Sequence, residues 1–169
     1  HTAKAIADRK GMKVHVRPVL REIAMGEWED KTWAILPREA PEQYAKWQTR
    51  PWECEVPGGE RVLDTGDRVL GGLRQLAQEW DGKSIAVVSH GSAIRGILCR
   101  VLGYEPEQIG QVGWGDNTCV AKFEFDGDTI RPIYWNDASH LPEDLSTFAK
   151  IGWTNSRGVP MSVQAWFRP

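Results

Sequence analysis

The chain has 169 residues, of which 26% are charged and 41% hydrophobic, a balance that suits one globular domain with a real core rather than a disordered, fibrous or membrane protein. Its 21 Lys and Arg against 23 Asp and Glu leave a net charge of -2, which offers no broad basic face to nucleic acid or an anionic membrane. No apolar run approaches the ~20 residues of a bilayer span.

Three cysteines, Cys54, Cys99 and Cys119, are widely spaced without a CxxC pair. This argues against a disulfide frame or a zinc knuckle and for a reducing, cytoplasmic setting. The nine tryptophans are expected to pack in the core and in a lid.

Along the chain, Ala3, Ile6 and Ala7 share one helical face over Thr2 to Lys10, and Gly11 stops it. Val14 and Val16 alternate with polar neighbours in a short strand ending at Pro18. A glutamate- and tryptophan-rich loop, "LREIAMGEWEDKTW", follows. A helix is expected from Pro41 to Thr49, then a turn-rich connection containing "VPGGE".

Val62, Val69, Leu73, Leu76 and Trp80 recur near helical spacing between Arg61 and Trp80, with the Gly71-Gly72 pair expected where a neighbour packs closely. Ile85 to Val88 is a short apolar run expected to be a strand covered on both faces. From Ser92, the residues Ile94, Ile97, Leu98, Val101 and Leu102 keep a helical period until Gly103. Residues Cys119 to Phe125 and Thr129 to Trp135 alternate around Asp126-Gly127-Asp128 as a hairpin. The sequence from Leu141 onward is mixed and carries no clear element.

Strand, tight turn, helix is the grammar of an α/β protein, in which ligands sit where strands end and helices begin. His90 occupies that place in "SIAVVSHGSAIRG". Gly91 lets backbone pass close to a ligand, Ser92 is expected to cap the helix, and the helix amino terminus with Arg95 in its first turn favours an anion. Ser89 and Ser92 are no hydrolase nucleophiles, because neither stands in G-x-S-x-G. His140 with Asp137 is the only candidate metal pair and has low specificity. In the preceding loop, any one of Glu22, Glu27 and Glu29 could protonate a departing alkoxide, with Trp28 and Trp33 excluding water.

"LREIAMGEWED" resembles the "L-x-E-x-x-x-G-x-W-E-G" segment of the histidine phosphatase superfamily, in its phosphoglycerate-mutase-like branch. "VPGGE" is similar to that family's "P-G-G-E-S", "VVSHGSAIRGILCRVLG" to its second histidine motif and helix, and "DNTCVAKFEFDG" to its "N-T-S-V" strand. The resemblance implies a three-layer α/β fold with a mostly parallel central sheet. It also implies metal-independent phosphoryl transfer through a phosphohistidine, with no cofactor. By position His90 matches the second histidine and Glu22 the acid, while Gly91, Ser92 and Asn117 fall on substrate-binding positions.

Three departures stand out. No Arg-His-Gly triplet, which carries the family's nucleophile, occurs in the sequence, and the opening "HTAKAIA" is similar to the "Q-T-A" that follows it. His1, His15 and His140 sit in contexts that do not replace it. Asp30 stands where the family prefers glycine, and Arg61 where it has serine.

The expectation is therefore the C-terminal portion of a longer polypeptide, without the family's first strand and helix. Its domain would span 1–140, and a tail, 141–169, would pack on the domain, form a lid or make a homodimer contact through Trp153, Trp166 and Phe167. The expected activity is hydrolysis of a small phosphorylated metabolite, with the nucleophile upstream of His1 and this chain inactive alone. A phosphoglycerate mutase and a non-catalytic phosphate-binding remnant are the alternatives.

Overall fold

A computed structural model describes residues 1–151. The chain divides into two compact units, His1–Ile109 and Gly110–Pro169. The candidate lid or dimer residues Trp153, Trp166 and Phe167 lie outside the described residues.

In the first unit, α1 (Thr2–Lys10) ends where Gly11 takes a left-handed φ of 63° and turns its N–H back to the Ala7 carbonyl. Two short helices, α2 (Leu36–Glu39) and α3 (Pro41–Thr49), each carry proline in the first turn, where its missing N–H costs nothing. They pack beside Trp28, Leu36, Cys54 and Val56, a small core to which Met25, Ala40, Tyr44 and Trp47 add half-buried surface.

The main core lies between α4 (Val62–Glu79) and α5 (Gly91–Val101). Val62, Leu63, Val69, Leu70 and Leu76 of α4 are buried, as are Ala93, Ile97, Leu98 and Cys99 of α5. The glycines that permit this crossing are not the Gly71-Gly72 pair. A Cβ on Gly66 would fall 2.6 Å from the Gly96 carbonyl carbon, and one on Gly96 would fall 2.8 Å from the Gly66 Cα. The expected close neighbour is met at Gly72, where a Cβ would fall 2.6 Å from Val19 Cγ1, and not at Gly71, which has no described atom within 4 Å.

The expected parallel sheet is not formed among the described residues. Segments 12–17 and 83–90 carry no ladder, and their apolar side chains stand exposed: Val14 47%, Val16 80%, Ile85 43%, Val87 37%. The physical reason is partnership. Apolar composition marks a segment that needs covering on both faces, but a strand exists only where neighbouring backbone completes its hydrogen bonds.

The second unit holds the sheet that the described residues do form, an antiparallel pair of β1 (Val120–Asp126) and β2 (Thr129–Asp137). Asp126 pairs with Thr129 around a two-residue turn, and the register slips on either side of Lys122. A short helix, α6 (Thr147–Ile151), is tied to the 116–118 loop by Asp116. The Asp116 carboxylate accepts the Ser146 hydroxyl at 2.5 Å and the amides of Asn117 and Thr147 at 2.7 and 3.0 Å. Burial raises its pKa, but these donors outweigh burial and leave it below the usual carboxylate range.

No helix among the described residues is long and apolar enough to cross a membrane.

Candidate functional site

The site begins with an unmet demand. The first amides of α5 have no partner within the helix, and His90, the N-cap residue at φ -129° and ψ 170°, offers them no side-chain bond. Ser92, expected to cap, is instead the second helical residue, buried, and cannot serve because a cap must precede the first turn in extended backbone. The acceptor comes from far along the chain. Glu22 Oε2 takes the Ser92 amide at 3.1 Å, and Oε1 takes the Ala93 amide at 2.9 Å and the Ile23 amide at 2.9 Å. A carboxylate at a helix amino terminus also meets the positive end of the dipole.

His90 therefore opens a helix whose next amides grip Glu22, and its imidazole is exposed rather than enclosed in hydrocarbon. Gly91 is exposed beside it. The Ser89 hydroxyl donates to the Leu20 carbonyl at 2.8 Å, a second tie between the His90 segment and the Glu22 loop. Arg95 points elsewhere: its guanidinium donates to the Ile109 carbonyl at 3.0 Å, and burial lowers its pKa to about 10, so it stays a cation near neutrality.

Of the three glutamates, Glu22 alone reaches α5. Glu29 folds back onto the Met25 amide at 2.8 Å, and Glu27 is exposed on a short turn. The tryptophans pack on one another. Trp33 stacks on Trp47 at 5.9 Å, and both meet Trp28 edge-on at 6.2 and 6.1 Å.

The two sequence segments around Glu22 and "VPGGE" interlock. Gly26, at φ 53°, lies so close to the turn that a Cβ would sit 2.2 Å from the Pro57 carbonyl oxygen. Glu27 N–H bonds that same oxygen at 3.0 Å, and Glu60 N–H bonds the Ala24 carbonyl at 2.8 Å. Asp30 adopts φ 61°, a conformation that favours glycine, which gives the family's preference there its physical basis. Arg61 is the N-cap of α4 without a side-chain cap bond; its guanidinium reaches the Trp52 carbonyl at 3.2 Å and Glu55 at 3.6 Å.

A further pair, Arg68 and Glu60, supports the Glu22 loop. Arg68 of α4 forms a two-pronged bridge to Glu60 at 2.7 and 2.8 Å and donates to the carbonyls of Val19, Arg21 and Glu22 at 2.6, 3.3 and 3.2 Å. The available signal was its position between Thr65 and Val69 on the buried stripe of α4, where a charge must find partners. Burial raises the Glu60 pKa, but hydrogen bonds from Arg68 and the Ala24 amide and the charges of Arg68 and Arg21 outweigh burial, leaving it below the usual carboxylate range.

Asn117 lies in the second unit, where its side-chain amide donates to the Thr147 hydroxyl at 2.7 Å. His140 sits 3.3 Å from the Thr118 hydroxyl, and Asp137 accepts the Ser139 amide at 2.9 Å. All three thiols are free, and burial pushes each of them up. A groove of about 530 Å³ is lined by Glu55, Glu60, Arg61 and Asp64 among others; neither His90 nor Glu22 borders it.

The family profile described as "Histidine phosphatase superfamily (branch 1)" matches residues 1–138. The chain belongs to the histidine phosphatase superfamily. It is 31% identical over 161 residues to phosphoglycerate mutase-like protein 4 of Arabidopsis thaliana, covering 92% of this chain and 66% of that protein. It is 28% identical over 142 residues to phosphoserine phosphatase 1 of Hydrogenobacter thermophilus, covering 84% and 67%. The chain thus spans about two thirds of the length of these relatives. Among solved structures, Bacillus stearothermophilus YhfR superposes with a TM-score of 0.79 at 23% identity, covering 83% of this chain and 70% of that one, a likeness of fold.

Proposed function

We propose that this chain carries the second histidine and the acid of a phosphomonoester hydrolase acting through a phosphohistidine on a small phosphorylated metabolite. One observation carries the reading: the helix that His90 opens holds the Glu22 carboxylate on its first free amides. The candidate proton donor thereby meets the helix opened by the candidate phosphate ligand, across the 70 positions that separate Glu22 from Ser92.

In this reading a histidine encoded before His1 attacks phosphorus, and the bond to the departing alcohol breaks. Glu22 delivers a proton to that oxygen, because an unprotonated alkoxide leaves poorly. His90 and the amide of Gly91, the helix N–H left over once Glu22 has taken those of Ser92 and Ala93, face the charge that builds on the phosphoryl oxygens. Water then cleaves the phosphorus–nitrogen bond, releasing phosphate and restoring the nucleophile. The exposed apolar segments 12–17 and 83–90 support the upstream origin of the nucleophile, since a strand between or beside them would complete their backbone pairing. The three free thiols suit a reducing cytoplasm.

The test is His90→Ala in the full-length polypeptide. Turnover of p-nitrophenyl phosphate is expected to fall by two orders of magnitude or more, about 3 kcal/mol of transition-state stabilisation, with the circular dichroism unchanged. Activity equal to the parent would end the assignment.

A second reading is a non-catalytic phosphate-binding remnant, in which no Arg-His-Gly triplet precedes these residues. Reading the codons upstream of His1 decides between them: an arginine-histidine-glycine triplet after an apolar strand supports the enzyme. If the released phosphoryl group appears on a second hydroxyl instead of as inorganic phosphate, the enzyme is a mutase.

A further inference from the structure

We infer that Arg68, locked by Glu60, is a positioning residue for Glu22: it holds the backbone of the 19–24 loop so that the Glu22 carboxylate meets the amino end of α5. The inference rests on the proposed role of Glu22 for its catalytic meaning, but its geometry stands independently of that role.

The guanidinium is used from both edges. One edge, Nε and Nη2, faces the two oxygens of Glu60. The other donates through Nη1 to the carbonyls of Val19 and Arg21, while Nη2 also reaches the carbonyl of Glu22 itself. Glu60 completes the clamp on the far side of the acid, where Oε2 accepts the Ala24 amide at 3.0 Å and its own N–H bonds the Ala24 carbonyl at 2.8 Å.

The backbone is therefore pinned at Glu22 and again two residues later, leaving mainly side-chain rotation to the carboxylate. Both side chains are largely buried, with 17% of Arg68 and 21% of Glu60 exposed, so solvent screens the bridge little. The helix that supplies Arg68 is the one whose Gly66 packs on Gly96, so the clamp and α5 share one rigid support.

A planar fork is required for this pattern. Lysine offers a single compact ammonium that cannot hold a carboxylate from two parallel donors while also meeting three carbonyls. A proton donor displaced by even ~1 Å loses most of its rate advantage, so a residue that never touches substrate can govern the acid step.

Two measurements on Arg68→Met test this. The first is residue-resolved hydrogen exchange. The Ser92 and Ala93 amides are expected to lose protection by about tenfold or more as Glu22 drifts from them, while Val69 and Leu98 keep theirs. Unchanged protection at Ser92 and Ala93 overturns the inference. If protection falls throughout the chain, the same comparison is made on Glu60→Gln and Arg68→Lys, and retained protection at Ser92 and Ala93 in both also overturns it.

The second measurement uses the full-length polypeptide and compares p-nitrophenyl phosphate, whose leaving group departs without a proton, with a simple alkyl phosphate, whose leaving group needs one. Arg68→Met and Glu22→Gln are both expected to slow the alkyl ester at least about tenfold more than the aryl ester. An equal loss on both esters in Arg68→Met, beside a selective loss in Glu22→Gln, overturns the positioning role and leaves the acid assignment intact. If Glu22→Gln itself shows no selectivity while the exchange result holds, the acid assignment fails and the positioning of the loop by Arg68 survives.

Discussion

The Ala93 amide donates to the Glu22 carboxylate at 2.9 Å, across 71 positions of sequence, and the Ser92 amide joins it at 3.1 Å. The same carboxylate thus caps α5 and is available beside His90. Structure and chemistry draw on one group, so Glu22→Ala removes both roles together and Glu22→Gln, which keeps an acceptor oxygen, separates them.

Glu22→Ala removes the side chain that meets these helix amides and leaves three donors, the amides of Ile23, Ser92 and Ala93, to be satisfied by water. The stability loss is expected to be about 0.5–2 kcal/mol, the usual cost of a lost N-cap, read as a lower urea midpoint at constant slope. Glu22→Gln keeps an acceptor oxygen and is expected to lose less than half as much. Equal stability of Glu22→Ala and the parent would show that the contact does not hold in solution.

The α4–α5 crossing makes a second prediction. A methyl group on Gly66 or on Gly96 meets backbone, not a yielding side chain, so the helices must separate. Each alanine substitution is expected to cost about 1–3 kcal/mol, and the double substitution less than the sum because one displacement relieves both. Gly71→Ala is the control: nothing lies within 4 Å of its Cβ, and the gain in helix propensity is expected to stabilise by up to about 1 kcal/mol.

At Arg61 the N-cap of α4 lacks a capping side chain, and among the described residues its exposed guanidinium pairs with the Trp52 carbonyl and, at longer range, Glu55. Arg61→Ser places a hydroxyl where the second or third amide of the helix can use it. A net gain of about 0.5–1 kcal/mol is expected in denaturant unfolding, and a loss would mean that the contact to Trp52 outweighs the cap.

Glu60 sets a pH dependence. Its folded pKa lies below the usual carboxylate range, so its contribution is present above that range and disappears as pH falls through the lower folded value. Stability is therefore expected to fall as the solution is acidified below the ordinary carboxylate pKa. In Glu60→Gln that segment of the stability profile should flatten; an unaltered slope would remove Glu60 from the account.

Much of the local structure was legible from residue pattern. The helices at Thr2–Lys10 and Pro41–Thr49 and the 120–137 hairpin follow from apolar spacing, proline in a first turn and a glycine-bearing turn, all of which act within a few residues. His90 could be found for the same reason, because the change from a continuous apolar run to a helical period occurs at that residue. Residue type suggests Ser92 as a cap, whereas the backbone places the first helical residue at Gly91 and makes His90 the N-cap. Of the Gly71-Gly72 pair, Gly72 does pack closely, against Val19, while the α4–α5 crossing falls on the face that carries Gly66, a choice that no doublet encodes.

By itself, the amino-acid order determined that helices would occupy Thr2–Lys10 and Pro41–Thr49, that a helix would follow His90, and that its first amides would need an acceptor. Only the folded chain decided that Glu22, and not Glu27, Glu29 or Ser92, would answer the need, and that Arg68 and Glu60 would pin its loop. The reason is range. Periodicity and capping are demands set within one or two turns of chain, while the group that meets a helix end is chosen by how distant segments pack, and no local pattern encodes that choice.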